Sequence, residues 1–314
     1  MASARERIVA AGYIAGWRIV GALPQRLTAR AAQWAADRVS GDGAGMEMLR
    51  RNLTRVVGPE NVTRELVRDA MRSYARYWLE AFRLPQMAGA PELNATLSAG
   101  MSGREHLDAA VARGKGVVLT LPHTGNWDMA GTWLAANYGG FTTVAERLEP
   151  EALFDAFVKF RESLGFEVVP LTGGEQPPFE RLKEVLLDGG IVCLLGERDF
   201  SRHGVPVTFF GEETTFPAGP AKLAQDTGAT LLVAHSWFTG TWRNPGWGFS
   251  ISAPVEAATL EDTAQRVADQ FAENIAAHPT DWHMLQPLWP ADRRKPSRRR
   301  ELERRSREHR KRRR

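Results

Sequence analysis

At 314 residues, with 43% hydrophobic and 25% charged side chains, the chain reads as a soluble globular protein with room for one large α/β domain and a helical N-terminal part. Its one cysteine, Cys193, rules out an intrachain disulfide and fits a reducing compartment; burial in the apolar run 191–195 raises its pKa and leaves it inert. Zinc-type Cys/His spacing, H-E-x-x-H, a P-loop and a G-x-G-x-x-G behind a strand are all missing, so neither a metal nor a nucleotide cofactor is expected.

The net charge of +4 hides an asymmetry: fourteen Lys/Arg against three Glu give residues 293–314 a charge of +11 and leave the body at −7. With one leucine and no aromatic, this tail cannot bury a core and is expected to be disordered or transiently helical when free. It reads either as a solvated charge run that binds polyanions nonspecifically or as a segment drawn to an anionic membrane surface, at about 1 kcal/mol per basic residue. Specific nucleic-acid binding is disfavoured, because no base-stacking platform accompanies the charge.

The first apolar segment, residues 8–23, is shorter than the roughly 20 residues of a spanning helix and is broken by Arg18. Leu23-Pro24-Gln25-Arg26 makes a poor signal-cleavage site. The segment fits an interfacial amphipathic helix, with Tyr13 and Trp17 inside and Arg5 and Arg7 before it, or equally a core helix. Helical periodicity follows at 27–36, 46–56 and 64–82. The last is entered through Asn61 or Thr63, and its stripe of Tyr74, Tyr77, Trp78 and Phe82 reads as core.

From Glu105 helix and strand alternate: helix 105–113, strand 116–121, helix 127–137, strand 141–145, helix 150–164, strand 167–171, helix 178–188 and strand 191–196. An apolar hairpin at 205–211 and a Pro/Gly turn at 215–220, opening a helix to Gln225, are placed to wall a groove. Strand 229–234, a hairpin through Pro245-Gly246, strand 248–252 and helix 259–277 follow, with Trp282, His283 and Trp289 as packing or an interfacial lip. The pattern predicts an α/β fold: a mostly parallel central sheet with right-handed crossovers, flanked by helices. The chain divides into one domain, 1–292, whose first 100 residues are mainly helical, and the basic tail 293–314.

The chemistry concentrates after strand 116–121, an uncharged run of the kind buried on both faces of a parallel sheet. Pro122 ends it. His123 therefore stands at the strand's carboxyl end, where open α/β sheets place their ligands, and Thr124, Gly125 and Asn126 supply turn and cap chemistry for the next helix. Asp128, in that helix's first turn, is within reach to orient the imidazole if the loop folds back. The other strand ends bring Glu146 and Arg147, then Glu197 and Arg198, to the same rim. Glu197 reads as a partner for His123, as an acceptor from a substrate hydroxyl, or as a loop cap; Arg161 reads as a cation at a helix end or a substrate contact.

H-T-G-N-W-D at 123–128, G-E-R-D-F at 196–200, V-P-V-T-F-F-G-E at 205–212 and F-P-A-G-P-A at 216–221 together resemble the lipid A biosynthesis lauroyl/myristoyl acyltransferase family. The similarity covers residues 5–290 and is strongest to the actinobacterial branch that acts on phosphatidylinositol mannosides. Phe216-Pro-Ala-Gly219 departs from the F-P-E-G of glycerol-phosphate acyltransferases, which share H-x4-D but take a simpler acceptor. The resemblance implies a glycerolipid acyltransferase-like fold, palmitoyl-CoA as co-substrate with no other cofactor, and a phosphatidylinositol mannoside acceptor acylated on a mannose 6-hydroxyl. It also implies a peripheral position on the cytoplasmic face of the plasma membrane. By motif it assigns His123 as base, Asp128 as its orienting partner and Glu197 as a catalytic acid, with Glu146, Arg147, Arg161 and Arg198 as binding residues. An acyl carrier protein donor with a lipid A-type acceptor is the alternative of the same chemistry, and a noncatalytic membrane- or nucleic-acid-binding protein is the reading farthest from it.

Overall fold

The computed structural model describes residues 16, 19–88, 90–147, 151–174, 176–199, 203–256 and 259–293. Most of the apolar 8–23 segment and the basic tail past Arg293 lie outside them, and so do the readings made for those stretches. Ahead of the sheet run α1 (Gln25–Val39), α2 (Glu47–Val57), α3 (Arg64–Met87) and α4 (Pro91–Ala99). Thr63 caps α3 by accepting from the Leu66 N–H at 3.1 Å. That helix runs past Phe82 to Met87, since Pro85 sits in its final turn, where the missing N–H forfeits a single backbone bond. Helix α4 escaped the periodicity because only Leu93 and Leu97 mark its buried side.

The alternating region comprises β1 (Met101–Ser102), α5 (Arg104–Ala112), β2 (Val117–Leu121), α6 (Trp127–Tyr138), β3 (Phe141–Ala145), α7 (Glu151–Glu162), β4 (Phe166–Pro170), α8 (Pro178–Leu187) and β5 (Ile191–Leu195). After it come β6 (Val205–Phe209), β7 (Glu212–Phe216), α9 (Gly219–Thr227), β8 (Thr230–Gly240), β9 (Pro245–Ile251) and α10 (Leu260–Ala277). Seven strands form one sheet in the order β1-β9-β8-β2-β5-β3-β4, with β2 at its centre. Every pairing is parallel except β8 with β9, which the Pro245-Gly246 hairpin turns back antiparallel.

Successive β2 residues feed opposite cores, which is why the strand carries no polar face. Leu119 packs with Met129, Trp133, Phe141 and Phe166 under α6, and Val118 with Val192, Leu231 and Phe271 under α10. The β6–β7 hairpin, Trp282 and Trp289 belong to the second core. Phe209 and Trp289 stack at 5.8 Å and 15°, and both tryptophans are fully buried, so this cluster is packing rather than a groove wall or interfacial lip. Among the described residues, no helix is long and apolar enough to cross a membrane.

Candidate active site

Parallel register assembles the site. Leu121 of β2 lies opposite Leu195 of β5, and the Gly196 N–H continues the ladder to the Leu121 carbonyl at 2.9 Å, so the residues that follow, His123 and Glu197, emerge side by side across 74 residues of sequence. Glu197 Oε1 accepts from His123 Nδ1 at 2.8 Å and from the His123 backbone N–H at 2.6 Å. A carboxylate only accepts, so Nδ1 carries the proton and Nε2 presents its lone pair. Burial acts to raise the Glu197 carboxyl, but attraction to the imidazolium form of His123 and the two hydrogen bonds from that residue outweigh it and hold the group below the ordinary glutamate range.

Asp128 is not the orienting partner that H-x4-D spacing predicts. Its place in the first turn of α6 aims it across the bundle, where Oδ1 accepts from Arg161 Nε at 3.0 Å and Oδ2 from the Tyr77 hydroxyl at 3.0 Å. Arg161, read as a helix-end cation or a substrate contact, is thus the anchor of Asp128 and ties α7 to α6. Its burial opposes the positive charge, yet the Asp128 carboxylate more than offsets this and raises the guanidinium pKa.

A C-terminal segment clamps the loop between His123 and α6. Trp282 forms an antiparallel bridge with Thr124, the Gly125 N–H donates to the Asp281 carbonyl at 2.9 Å, and the His283 N–H donates to the His123 carbonyl at 2.8 Å. Gly125 is required here: at φ 53° a Cβ would come within 2.6 Å of the Ser236 backbone. The Ser73 hydroxyl donates to Asp281 Oδ1 at 2.6 Å and accepts from His283 Nε2 at 3.0 Å, while Thr124 Oγ1 meets His235 Nδ1 at 3.0 Å.

Burial lowers both His235 and His283 from 6.5 to about 3, with repulsion from His278 and His123 adding respectively. Between those values the unfolded chain binds more protons than the folded one, so stability is complete above about pH 6.5 and falls by roughly 1.4 kcal/mol per histidine for each unit toward 3. Asp281, raised chiefly by burial, acts in the opposite sense but only in the carboxylate range. Thermal midpoints by circular dichroism are therefore expected to drop steeply from pH 7 to pH 5; a flat profile would contradict the clamp's neutral histidines.

An apolar cavity lies between α6 and the sheet. Its floor crosses β9, β8, β2, β5 and β3 through Phe249, Ala234, Leu119, Cys193 and Thr143, and Gly131 and Leu134 form part of its roof. At about 4.8 Å between strands, this floor is roughly 19 Å across. Trp127 joins it to the His123–Glu197 pair, since it lines the cavity and its ring sits 5.6 Å from that of His123. Cys193, as expected, has its thiol pKa pushed up by burial.

The family model for bacterial lipid A biosynthesis acyltransferases matches residues 4–291. The chain belongs to that family. Among curated relatives, phosphatidylinositol mannoside acyltransferase of Mycolicibacterium smegmatis is 54% identical over 285 residues, 90% of this chain and 91% of the relative. The protein of the same name from Mycobacterium tuberculosis is 52% identical over 284 residues, 89% of this chain and 88% of that one.

In this acyltransferase, among the described residues, the remaining predicted ones make no hydrogen bond to the His123–Glu197 pair. Glu146 and Arg147 are exposed beyond β3, Arg147 reaching Glu151 at 3.6 Å, and Arg198 NH2 donates to Gln286 Oε1 at 2.6 Å. Tyr77, Ser73, Glu80, Asp281 and His283 escaped the sequence reading as site residues. One signal was present: on α3, Ser73, Arg76, Tyr77 and Glu80 recur at helical spacing, a polar row within a helix whose aromatic stripe reads as plain core. Among the described residues, no cluster of three or more His, Cys, Asp or Glu is arranged to hold a metal.

Proposed function

We propose that the protein transfers a palmitoyl chain from acyl-CoA to the 6-hydroxyl of a mannose in phosphatidylinositol mannosides, at the cytoplasmic face of the plasma membrane. The observation that carries this reading is the His123–Glu197 pair, linked through Trp127 to an apolar cavity, in a chain more than half identical to proteins named for that acceptor. His123 Nε2 takes the hydroxyl proton as the oxygen attacks the thioester carbonyl, and Glu197 stabilises the imidazolium. The tetrahedral intermediate collapses with cleavage of the C–S bond, and the proton on Nε2 passes to the departing thiolate. No acyl-enzyme forms, because the thiol of Cys193 on the apolar cavity floor has a raised pKa and no serine stands in a nucleophile elbow.

The oxyanion is received at the head of α6. The Gly125 N–H is excluded because the Asp281 carbonyl holds it, and the Met129 N–H is capped by Asn126 Oδ1 at 3.1 Å. Of the N–H groups that precede the first intrahelical bond, those of Asn126 and Trp127 serve. The acyl chain occupies the cavity, whose floor crosses five strands, and each buried methylene contributes about 0.8 kcal/mol.

The acceptor is a lipid, and α1 offers the surface that meets its membrane: Leu27, Trp34 and Val39 are 58%, 69% and 67% exposed beside Arg30 and Arg38. Trp34→Glu is expected to weaken binding to vesicles containing anionic phosphatidylinositol severalfold in co-sedimentation, with turnover on detergent-dispersed acceptor unchanged; equal sedimentation would remove α1 from the membrane contact.

The reading is tested by offering palmitoyl-CoA and palmitoyl-acyl carrier protein together with purified phosphatidylinositol mannosides and locating the new ester by mass spectrometry and NMR. A mannose 6-ester derived from the CoA donor is expected. Transfer from the carrier protein alone, or onto a lipid A precursor alone, would replace donor or acceptor.

A further inference from the structure

Glu80 is buried on α3, 8% exposed, and takes no part in the catalytic pair or the cavity. Its Oε1 accepts from Arg76 Nε at 2.6 Å; its Oε2 accepts from Trp247 Nε1 at 2.7 Å and from Asn126 Nδ2 at 2.9 Å. Arg76 is held in turn by the Gly246 carbonyl at 2.9 Å and by the Phe238 ring 4.1 Å beneath its guanidinium. A buried ion pair is a costly way to hold a helix to a sheet, and apolar side chains of equal volume often do so better, so stability alone gives no reason for this one.

The bond to Asn126 supplies a reason. Because Nδ2 donates to Glu80, the Asn126 Oδ1 is the end left to accept from the Met129 N–H and cap α6. Turned the other way, the amide would set donor against donor at Met129 and the cap would be lost. Asn126 also separates the loop that carries His123 from the helix head that receives the oxyanion. We infer that Glu80 is a positioning residue for acyl transfer: by fixing the Asn126 amide, it sets the Asn126 and Trp127 N–H groups relative to His123. The inference rests on the acyl-transfer reading above.

Glu80→Gln exposes this role, since a glutamine amide cannot accept from Arg76, Trp247 and Asn126 as both carboxylate oxygens do. Pairing it with Asn126→Asp restores the total charge and reverses the bond: the amide now on α3 donates to the carboxylate now at the head of α6, whose second oxygen caps Met129. The variants are compared in a Trp247→Phe background, because the new amide nitrogen cannot accept from the indole N–H that Oε2 accepts from. With all rates taken per folded molecule by circular dichroism, Glu80→Gln is expected to lower kcat by about 10- to 100-fold. KM for palmitoyl-CoA should stay within twofold, and the double variant should recover at least half of the loss on a logarithmic scale. Asn126→Ser, which keeps a capping hydroxyl but releases Glu80, should show a fall of the same order and covers the case in which Glu80→Gln does not fold. A kcat within twofold of wild type in these single variants would overturn the inference, and so would a double variant no better than Glu80→Gln. An active wild type matched by Glu80→Gln removes the Glu80 role alone; a wild type that neither transfers nor cleaves the thioester removes the acyl-transfer reading with it.

Discussion

Glu197→Gln is expected to lower the transfer rate by roughly 10²- to 10⁴-fold, the range over which a correctly poised general base acts. The amide oxygen can still accept from both His123 donors, so the ring stays close to its place. What disappears is the negative charge, 2.8 Å from Nδ1, against which the imidazolium forms. The second carboxylate oxygen has no partner among the described residues, so an amide nitrogen in its place is buried unsatisfied, at about 1 to 3 kcal/mol. Rates must therefore be expressed per folded molecule. A variant within threefold of wild type on that basis would mean that Glu197 only caps the loop. Asp128→Asn addresses a different function: it strips Arg161 of its counter-charge and is read first in thermal stability, not in the proton-transfer step.

Gly131→Leu is expected to cost at least tenfold in transfer of a palmitoyl chain while sparing eight-carbon donors. A glycine in the middle of α6 is unfavourable by about 1 kcal/mol against alanine, and the structure explains its presence: even a Cβ would come within 2.6 Å of Phe166 and 2.9 Å of Phe141. Those rings meet at 4.5 Å and close the roof against the β3 end of the cavity. A leucine must push into the remaining space, which the terminal methylenes need and a short chain does not, at an overpacking cost of about 1 to 3 kcal/mol in stability. Chain-length profiles measured with saturated acyl-CoA donors decide it. Uniform loss at every length would show damage to α6, and an unchanged profile would place the acyl chain elsewhere.

The central strand and His123 were legible because both follow from local pattern: an uncharged run, a proline that ends it and a cap that starts the next helix. Glu197 was legible as a rim residue through the alternation of strands and helices, and the register of β2 on β5 then made it the partner of His123. The pairing of Asp128 was misread for a physical reason. Five residues of separation bring two groups near each other only if the loop folds inward, and the charge of Arg161, 33 residues on, is a stronger attractor. Tyr77, Ser73 and Asp281 were hidden because their roles depend on α3 lying against the C-terminal segment, a contact across 208 residues between Ser73 and Asp281 that no local spacing encodes.

The most direct test of the account is transfer of radiolabelled palmitate from palmitoyl-CoA to purified phosphatidylinositol mannosides, wild type beside His123→Ala, with products separated by thin-layer chromatography. The account predicts labelled acylated lipid from wild type and a loss of at least 10²-fold in the folded variant. Equal transfer by the two proteins would contradict it, leaving the stretch from Val117 to Asp128 a structural turn.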